Sequence, residues 1–156
     1  MRREFPKRPI IGVGGVVIHR NRVLLVQRGR EPSKGEWSIP GGMLELGEEL
    51  TEGVRREIRE ETGLDVEPLE HLATLDRVVR DGTKRFRVRY HYVIVDYVCR
   101  LKGGKLSPAS DVMDARWVFV SDLPSFKLTK MATLVIGRAF EFLRKRSKRD
   151  ASLSFP

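Results

Sequence analysis

The sequence predicts an α/β fold of the α+β type, in which a mixed β-sheet is sandwiched between α-helices. Two Val-rich apolar runs, residues 10–19 and 22–28, indicate neighbouring strands near the start of the chain. Two later segments have helical periodicity, and they alternate with strand-like runs at spacings typical of helices that pack on a sheet. The 156 residues are enough to bury one core, so we expect a single domain over residues 1–156.

The first half of the chain predicts a hairpin followed by a helix. Residues 19–22, His-Arg-Asn-Arg, join the two Val-rich runs and predict a β-hairpin even without an Asn-Gly turn. A helix is expected from Glu48 or Glu49 to Thr62. We expect it to end at Gly63, because glycine adopts the left-handed C-cap conformation without a steric cost.

The second half predicts three strands and a final helix. A strand is expected within residues 69–79, and a long strand over about residues 84–99. The first part of this long strand alternates basic and apolar side chains, whereas its second part, residues 93–98, is apolar on nearly both faces, so the strand enters the core from an exposed edge. Residues 115–120 predict one more short strand, and residues 129–146 predict a helix with one apolar face.

Charge and composition limit the classes of partner. The net charge of +9 and the pI of about 10.1 imply attraction to polyanions, either nucleic acid or small phosphorylated molecules. Part of this charge lies in a basic tail, residues 144–156, which we expect to be a frayed helix end beyond an ordered core of about residues 8–146. The single cysteine, Cys99, excludes an internal disulfide and favours a reducing, cytoplasmic setting. No apolar run is long enough to predict a membrane span, and a homodimer is left open.

Three glutamates of the predicted helix share one of its faces. At 100° per residue, Glu60 and Glu61 fall within about 60° of Glu57. Crowded carboxylates repel one another unless an arginine or a divalent cation neutralises them, and ligand sets made only of oxygen suit Mg²⁺ or Mn²⁺. The alternative is a solvated acidic face with helical ion pairs, but Arg55 and Arg59 lie together on the opposite side of the helix.

These glutamates belong to a longer pattern. Residues 42–64 match Gly-x5-Glu-x7-Arg-Glu-U-x-Glu-Glu-x-Gly-U, with U apolar, at every defined position. The matching residues are Gly42, Glu48, Arg56, Glu57, Ile58, Glu60, Glu61, Gly63 and Leu64. This pattern resembles the Nudix box, and residues 37–42, Trp-Ser-Ile-Pro-Gly-Gly, resemble the segment that precedes the box in that family.

The resemblance implies a Nudix fold and a hydrolase that cuts a diphosphate linkage attached to a nucleoside. It also implies Mg²⁺ as cofactor, with Mn²⁺ as a substitute, and a small nucleotide as substrate. The implied metal ligands are the backbone carbonyl of Gly41 and the side chains of Glu57, Glu60 and Glu61. Arg56 is implied to hold one of these carboxylates in place, and Glu48 to support the metal shell or its waters.

The residues that recognise the substrate are less well defined by the sequence. Arg28, Arg30 and Lys34, in and beside a polar loop over residues 29–36, are candidates for binding phosphate, although they also fit a solvated surface. A second basic set with the same two interpretations lies on the long strand. It consists of Arg85, Arg87 and Arg89.

Aromatic and acidic residues outside the box supply further candidates. Five aromatic side chains could stack on a base, although such residues are more often part of a core. They are Trp37, Phe86, Tyr90, Tyr92 and Phe126. Asp111 and Asp114, expected in the loop before Trp117, are candidates for an additional acidic group, and they fit turn residues equally well.

The segments around the box favour one substrate class. Residues 28–37 and 109–117 resemble ADP-ribose pyrophosphatase-like members of the family, so we expect ADP-ribose or a similar nucleotide sugar. The first alternative is a MutT-like nucleoside triphosphate pyrophosphatase. The basic charge keeps RNA 5′-end pyrophosphohydrolysis as a further alternative, although no RNA-binding motif supports it. The last alternative is a nucleotide-binding module without catalysis.

Overall fold

The computed structural model describes residues 2–82 and 87–153, with side chains as far as residue 150. The elements in chain order are β1 (Ile10–His19), β2 (Arg22–Arg28), β3 (Trp37–Ser38), β4 (Gly41–Met43), α1 (Leu50–Thr62), β5 (Leu64–Arg80), β6 (Val88–Gly104), β7 (Val112–Phe119), a 3₁₀ helix (Val120–Ser125) and α2 (Lys130–Leu153). The predicted α+β class is confirmed. In the described part of the chain, no helix is both long and apolar enough to span a membrane.

The strands form one mixed sheet in the order β3-β2-β1-β6-β5, with β4 paired to β1 and β7 paired to β2. The central strand β1 runs parallel to β6, in register from Ile10 with Tyr92 to Val17 with Cys99. Its first half also pairs with β4, whereas its end pairs with β2.

Helix α1 covers one face of this sheet. Val54 and Ile58 are fully buried against Val13, Val17 and Leu24. Burying each such side chain stabilises the fold by about 1.5–3 kcal/mol. This contact fixes the angular position of the helix, and with it the direction in which the glutamates of α1 point.

The ends of α1 follow from its sequence. The side chain of Glu49 and that of Glu52 form a reciprocal capping box at the start of the helix. At the other end Gly63 is in the left-handed conformation, with φ of 76°, and its N–H donates to the Arg59 carbonyl. The predicted C-cap is therefore confirmed.

Helix α2 covers the opposite face. Val135, Ile136 and Ala139 pack in a second core cluster together with Val16 and Val98. The two faces of β1 thus pack against different helices. Successive residues of β1 point alternately toward α1 and toward α2.

Several predicted boundaries differ from the observed ones. The hairpin is confirmed, and its turn residues Arg20 and Asn21 have φ of 50° and 62°. Strand β5 begins earlier than predicted and β6 ends later, because the two strands pair along nearly their whole lengths. Helix α2 continues to Leu153, so the basic segment expected to fray after residue 144 is helical there. Residues 83–86 and 154–156, parts of the predicted long strand and tail, lie outside the described residues.

Candidate active site

A cavity of about 360 Å³ lies beside α1 and extends to the first turn of α2. Glu57, Glu60 and Glu61, the three glutamates that share one helix face, all line it. Arg28 at the end of β2 and Arg77 on β5 line the same cavity. An acidic group and a basic group of side chains therefore share one space.

Arg56 is at the centre of the acidic group. Its Nε and Nη2 atoms donate hydrogen bonds to the two carboxylate oxygens of Glu48, at 2.6 and 3.0 Å. Its Nη1 donates to Glu57 Oε1 at 2.8 Å and to Glu60 Oε2 at 3.2 Å, while Nη2 also reaches the Met43 carbonyl at 2.9 Å. These charge-assisted bonds lower the pKa of Glu48 and hold α1 against the preceding loop.

Glu61 is buried, with 6% of its surface exposed. Its Oε2 accepts a hydrogen bond from the Gly41 N–H at 3.0 Å. Burial raises the pKa of Glu61 to about 8, and the carboxylates of Glu57 and Asp111 add to this rise. Burial also raises the pKa of Glu57, although hydrogen bonding to Arg56 opposes that rise. Two neighbouring carboxyl groups thus lack enough positive charge in their surroundings to compensate for burial.

The basic group has little negative charge next to it. Arg28 Nε donates to the Pro32 carbonyl at 2.9 Å, and Arg77 Nη2 donates to Ser33 Oγ at 2.7 Å. Burial lowers the pKa of both arginines, and the positive charge of Arg77 lowers that of Arg28 further. Two half-buried guanidinium groups that repel each other favour binding of an anion between them.

Comparison with known proteins identifies the family. A family model described as the NUDIX domain matches residues 8–136. The chain belongs to the Nudix family. It is 33% identical over 116 residues to a protein of Methanocaldococcus jannaschii named ADP-ribose pyrophosphatase, covering 74% of this chain. This chain spans only 65% of that relative's length.

Two solved Nudix structures resemble the fold over most of the chain. A MutT NUDIX hydrolase from Burkholderia pseudomallei has a TM-score of 0.72 and 27% identity, covering 85% of this chain and 98% of the other. The NUDIX domain of Shewanella oneidensis NrtR, solved in complex with ADP ribose, has a TM-score of 0.70 and 26% identity, covering 88% of this chain and 90% of the other. The predicted Nudix fold is therefore confirmed.

Nudix hydrolases generally use divalent metal ions, and the carboxylates of this site fit such an ion chemically. The donors at hand are carboxylate oxygens, which hard cations prefer, and the raised pKa values of Glu57 and Glu61 indicate unmet demand for positive charge. Among the described residues, no three acidic, His or Cys side chains already stand in metal-binding positions. Arg56 holds Glu57, and the Gly41 N–H holds Glu61, in the positions described above.

The predicted phosphate-binding residues occupy different positions in the Nudix site. Arg28 and Arg30 both line the cavity. Arg30 Nη2 pairs with Asp111 Oδ1 at 2.8 Å, so its charge is partly neutralised. Lys34 is exposed and does not line the cavity. The structure brings two of the three predicted residues together.

Of the two candidate aspartates, Asp111 lines the cavity and Asp114 does not. Asp111 lies between Arg30 and the N-terminal Arg3, whose Nη2 is 3.6 Å from Asp111 Oδ2. Asp114 was expected in a loop, but it lies within β7 and binds Arg116 at 2.8 Å. The loop prediction for Asp114 is wrong because β7 begins two residues before it, at Val112.

Of the aromatic candidates, Tyr92 lines the cavity and stacks on Tyr90, with ring centroids 6.4 Å apart. Trp37 and Phe126 meet edge to face at 5.1 Å beside the core cluster, as expected of structural residues. Phe86 lies outside the described residues.

The second basic set contacts the N-terminal segment. Arg87 lies 3.8 Å from the ring centroid of Phe5, and Arg89 pairs with Glu4 at 2.8 Å. Arg85 lies outside the described residues. Arg87 and Arg89 are therefore engaged away from the cavity.

Two of the charged residues that line the cavity and that sequence analysis missed are Arg77 and Asp96. Arg77 lies within the strand predicted over residues 69–79, and its contact with Ser33 across the fold distinguishes it. Asp96 interrupts an apolar strand, a signal that could have been noticed in the sequence. A charged residue with only 3% of its surface exposed requires an explanation.

Proposed function

We propose that this Nudix protein hydrolyses the diphosphate linkage of ADP-ribose or a similar nucleotide sugar, with Mg²⁺ as cofactor and Mn²⁺ as a substitute. The observation that carries the proposal is that the three glutamates of α1 and the arginines Arg28 and Arg77 line one cavity. A diphosphate needs positive charge on both sides, which a cation on the glutamates and these arginines would supply. The named activity of the M. jannaschii relative and the ADP-ribose complex of the NrtR domain support this substrate class.

Each side chain has a role that follows from its surroundings. Glu57, Glu60 and Glu61 would hold the cation, and the proposed Gly41 carbonyl would add a fourth ligand. A bound divalent cation polarises the diphosphate and lowers the pKa of a bound water. Arg56 would orient Glu57 through the bond it already makes at 2.8 Å.

Glu48 does not line the cavity and contacts Arg56. Its two carboxylate oxygens accept hydrogen bonds from Nε and Nη2 along one edge of the Arg56 guanidinium, which fixes the direction in which Nη1 points toward Glu57. Arg28 and Arg77 would bind the phosphate oxygens remote from the cation, which orients the substrate and offsets the charge that develops on the leaving phosphate. Because water attacks phosphorus, no side chain has to form a covalent bond with the substrate.

A nucleoside triphosphate pyrophosphatase is the second candidate, supported by the likeness to a MutT NUDIX hydrolase. The two functions release different products. ADP-ribose cleavage gives AMP and ribose 5-phosphate, whereas a triphosphate pyrophosphatase gives a nucleoside monophosphate and pyrophosphate.

A substrate panel tests the proposal. Turnover is measured with Mg²⁺ and with Mn²⁺ on ADP-ribose, nucleoside triphosphates, dinucleotides and triphosphorylated RNA, and the products are identified. We expect the highest kcat/KM on ADP-ribose or a related nucleotide sugar. A triphosphate preferred by tenfold, a transition-state difference of about 1.4 kcal/mol, overturns the substrate assignment.

A further inference from the structure

Asp96 is a buried acidic residue in the middle of the sheet. It lies on β6 directly beside Gly14 of β1, and 3% of its surface is exposed. Within the described residues, its Oδ1 has no hydrogen-bond partner. A buried polar atom in this state costs free energy until something binds it. Asp96 also lines the cavity of the active site, so a bound ligand can supply the missing partner.

Asp96 lies on the opposite side of β1 from the catalytic glutamates. A Cβ on Gly14 would lie 2.5 Å from Asp96 Oδ1, whereas a Cβ on Gly15 would lie 2.7 Å from Ile58 of α1. Neighbouring residues of a strand point to opposite faces, so Gly14 and Asp96 face α2. The cavity therefore joins two subsites, one at the glutamates and one at Asp96.

The subsite at Asp96 has apolar walls. Ile39 is 3.3 Å from the same Cβ position on Gly14, and Ile94 lies two residues before Asp96 on the same face of β6. Ala132 and Val135 of α2 line the cavity with them. A flat ring with one polar edge can pack on these apolar side chains while its polar edge faces Asp96.

We propose that Asp96 reads the nucleobase of the substrate by accepting a hydrogen bond from its exocyclic amino group. The inference rests on the proposed function. If the phosphates bind at the glutamates and arginines, the base occupies the part of the cavity that α2 lines. For an adenine nucleotide the donor is the 6-amino group. A base that lacks this group leaves the carboxyl oxygen buried and unpaired, which is how the site discriminates against it.

The test is calorimetric binding of nucleoside monophosphates in EDTA, which needs neither metal nor turnover. AMP is compared with purine riboside 5′-monophosphate, which differs only in lacking the 6-amino group. We expect the wild-type protein to bind AMP about tenfold more tightly. Asp96→Asn keeps an acceptor oxygen and is expected to keep this preference, whereas Asp96→Leu is expected to bind the two ligands within about twofold.

The control is Asp76→Leu, the same change at an exposed position of the neighbouring strand, and it should keep the wild-type preference. Circular dichroism verifies that each variant is folded. Equal binding of the two ligands by the wild-type protein, no detectable AMP binding, or an unchanged preference in Asp96→Leu overturns the proposal. A preference for AMP without hydrolysis of ADP-ribose supports the role of Asp96 and rejects the proposed function, so the two failures are distinguishable.

Discussion

Arg56 donates hydrogen bonds to both carboxylate oxygens of Glu48, at 2.6 and 3.0 Å, and so joins the loop before α1 to the acidic face of the helix. The same guanidinium reaches Glu57. Its planar fork of N–H donors meets the two carboxylates along two different edges in a fixed geometry, which an ammonium group does not provide. Glu48 therefore acts on the site through Arg56, without lining the cavity itself.

Replacement of Arg56 by lysine tests this geometry. We expect Arg56→Lys to lower kcat/KM by about 10–100-fold, because Glu57 loses its oriented partner. The free energy of unfolding should fall by about 1–3 kcal/mol, because Glu48 keeps only part of its hydrogen bonding. Arg59→Lys is the control, since Arg59 is exposed and pairs with the exposed Asp65. Equal effects of the two variants contradict the role of Arg56.

Removal of a single glutamate charge tests the metal site. We expect Glu57→Gln to abolish Mg²⁺-dependent turnover and the stabilisation that Mg²⁺ gives to the folded protein. For the wild type this stabilisation is about 2.7 kcal/mol at a concentration of 100 times Kd, measured by thermal unfolding with and without EDTA. Glu52→Gln is the matched control, because Gln at this position keeps the oxygen that accepts the Glu49 N–H. A normal response to Mg²⁺ in Glu57→Gln would argue against glutamate ligation.

The acidic part of this site could be predicted from sequence because its residues are close in the chain. Glu57, Glu60 and Glu61 lie on one helix, whose period fixes their common face, and Gly63 marks where that helix ends. The basic part could not be predicted in the same way. Arg77 meets the loop before β3 only through the pairing of long strands, which sequence periodicity does not specify.

The same limit applies to the interior of the sheet. That Asp96 lies beside Gly14 is a consequence of the parallel register between β1 and β6. Its environment therefore depends on tertiary structure alone, although the residue itself is visible in an apolar run. Lys34 illustrates the reverse case, since its sequence neighbours Arg28 and Arg30 line the cavity and it does not.

The buried Asp96 predicts a pH dependence of stability. Burial raises its pKa from 3.8 to about 7, so between these values the folded protein keeps a proton that the unfolded chain has released. The contribution of Asp96 to the free energy of unfolding therefore falls as pH rises from about 4 to about 7. Each unit of pKa difference corresponds to about 1.4 kcal/mol, which makes the total loss about 4 kcal/mol.

Denaturant unfolding of the wild type and Asp96→Asn at several pH values measures this loss. We expect the variant to gain stability relative to the wild type across this pH range, and no further gain at higher pH. Asp76→Asn, at an exposed position, should follow the wild-type profile. A constant difference between wild type and Asp96→Asn would show that Asp96 titrates normally in the folded protein.

Close backbone contact at Gly41 leads to a further prediction. A Cβ on Gly41 would lie 2.7 Å from the Gly14 Cα, so Gly41→Ala forces β4 away from β1. This moves the N–H that binds Glu61, and we expect a stability loss of about 1–3 kcal/mol and a large loss of kcat. Gly137→Ala, on helix α2, is the control. A Cβ added at Gly137 would meet no atom of the surrounding described structure within 4 Å. This substitution should raise stability by about 0.5–1 kcal/mol and leave turnover unchanged, as measured by thermal unfolding and initial rates.

The arginine that sequence analysis missed provides a test of substrate binding. Arg77 is half-buried near Arg28, and the like charge of Arg77 lowers the pKa of Arg28. A phosphate group between them would relieve this repulsion and make hydrogen bonds to both. We therefore expect Arg77→Met to raise KM for ADP-ribose by about tenfold or more, with a smaller effect on kcat.

The stability of Arg77→Met separates a binding role from a structural one. Removal of a buried positive charge that repels Arg28 should leave the ligand-free protein as stable as the wild type, apart from the loss of the bond to Ser33. Arg100→Met is the control, because Arg100 is exposed and pairs with Glu67 away from the cavity. Steady-state kinetics at two salt concentrations and thermal unfolding measure both effects. If KM for Arg77→Met equals that of the control, Arg77 does not bind the diphosphate, and the positive charge has to come from the other arginines that line the cavity, such as Arg28 and Arg30.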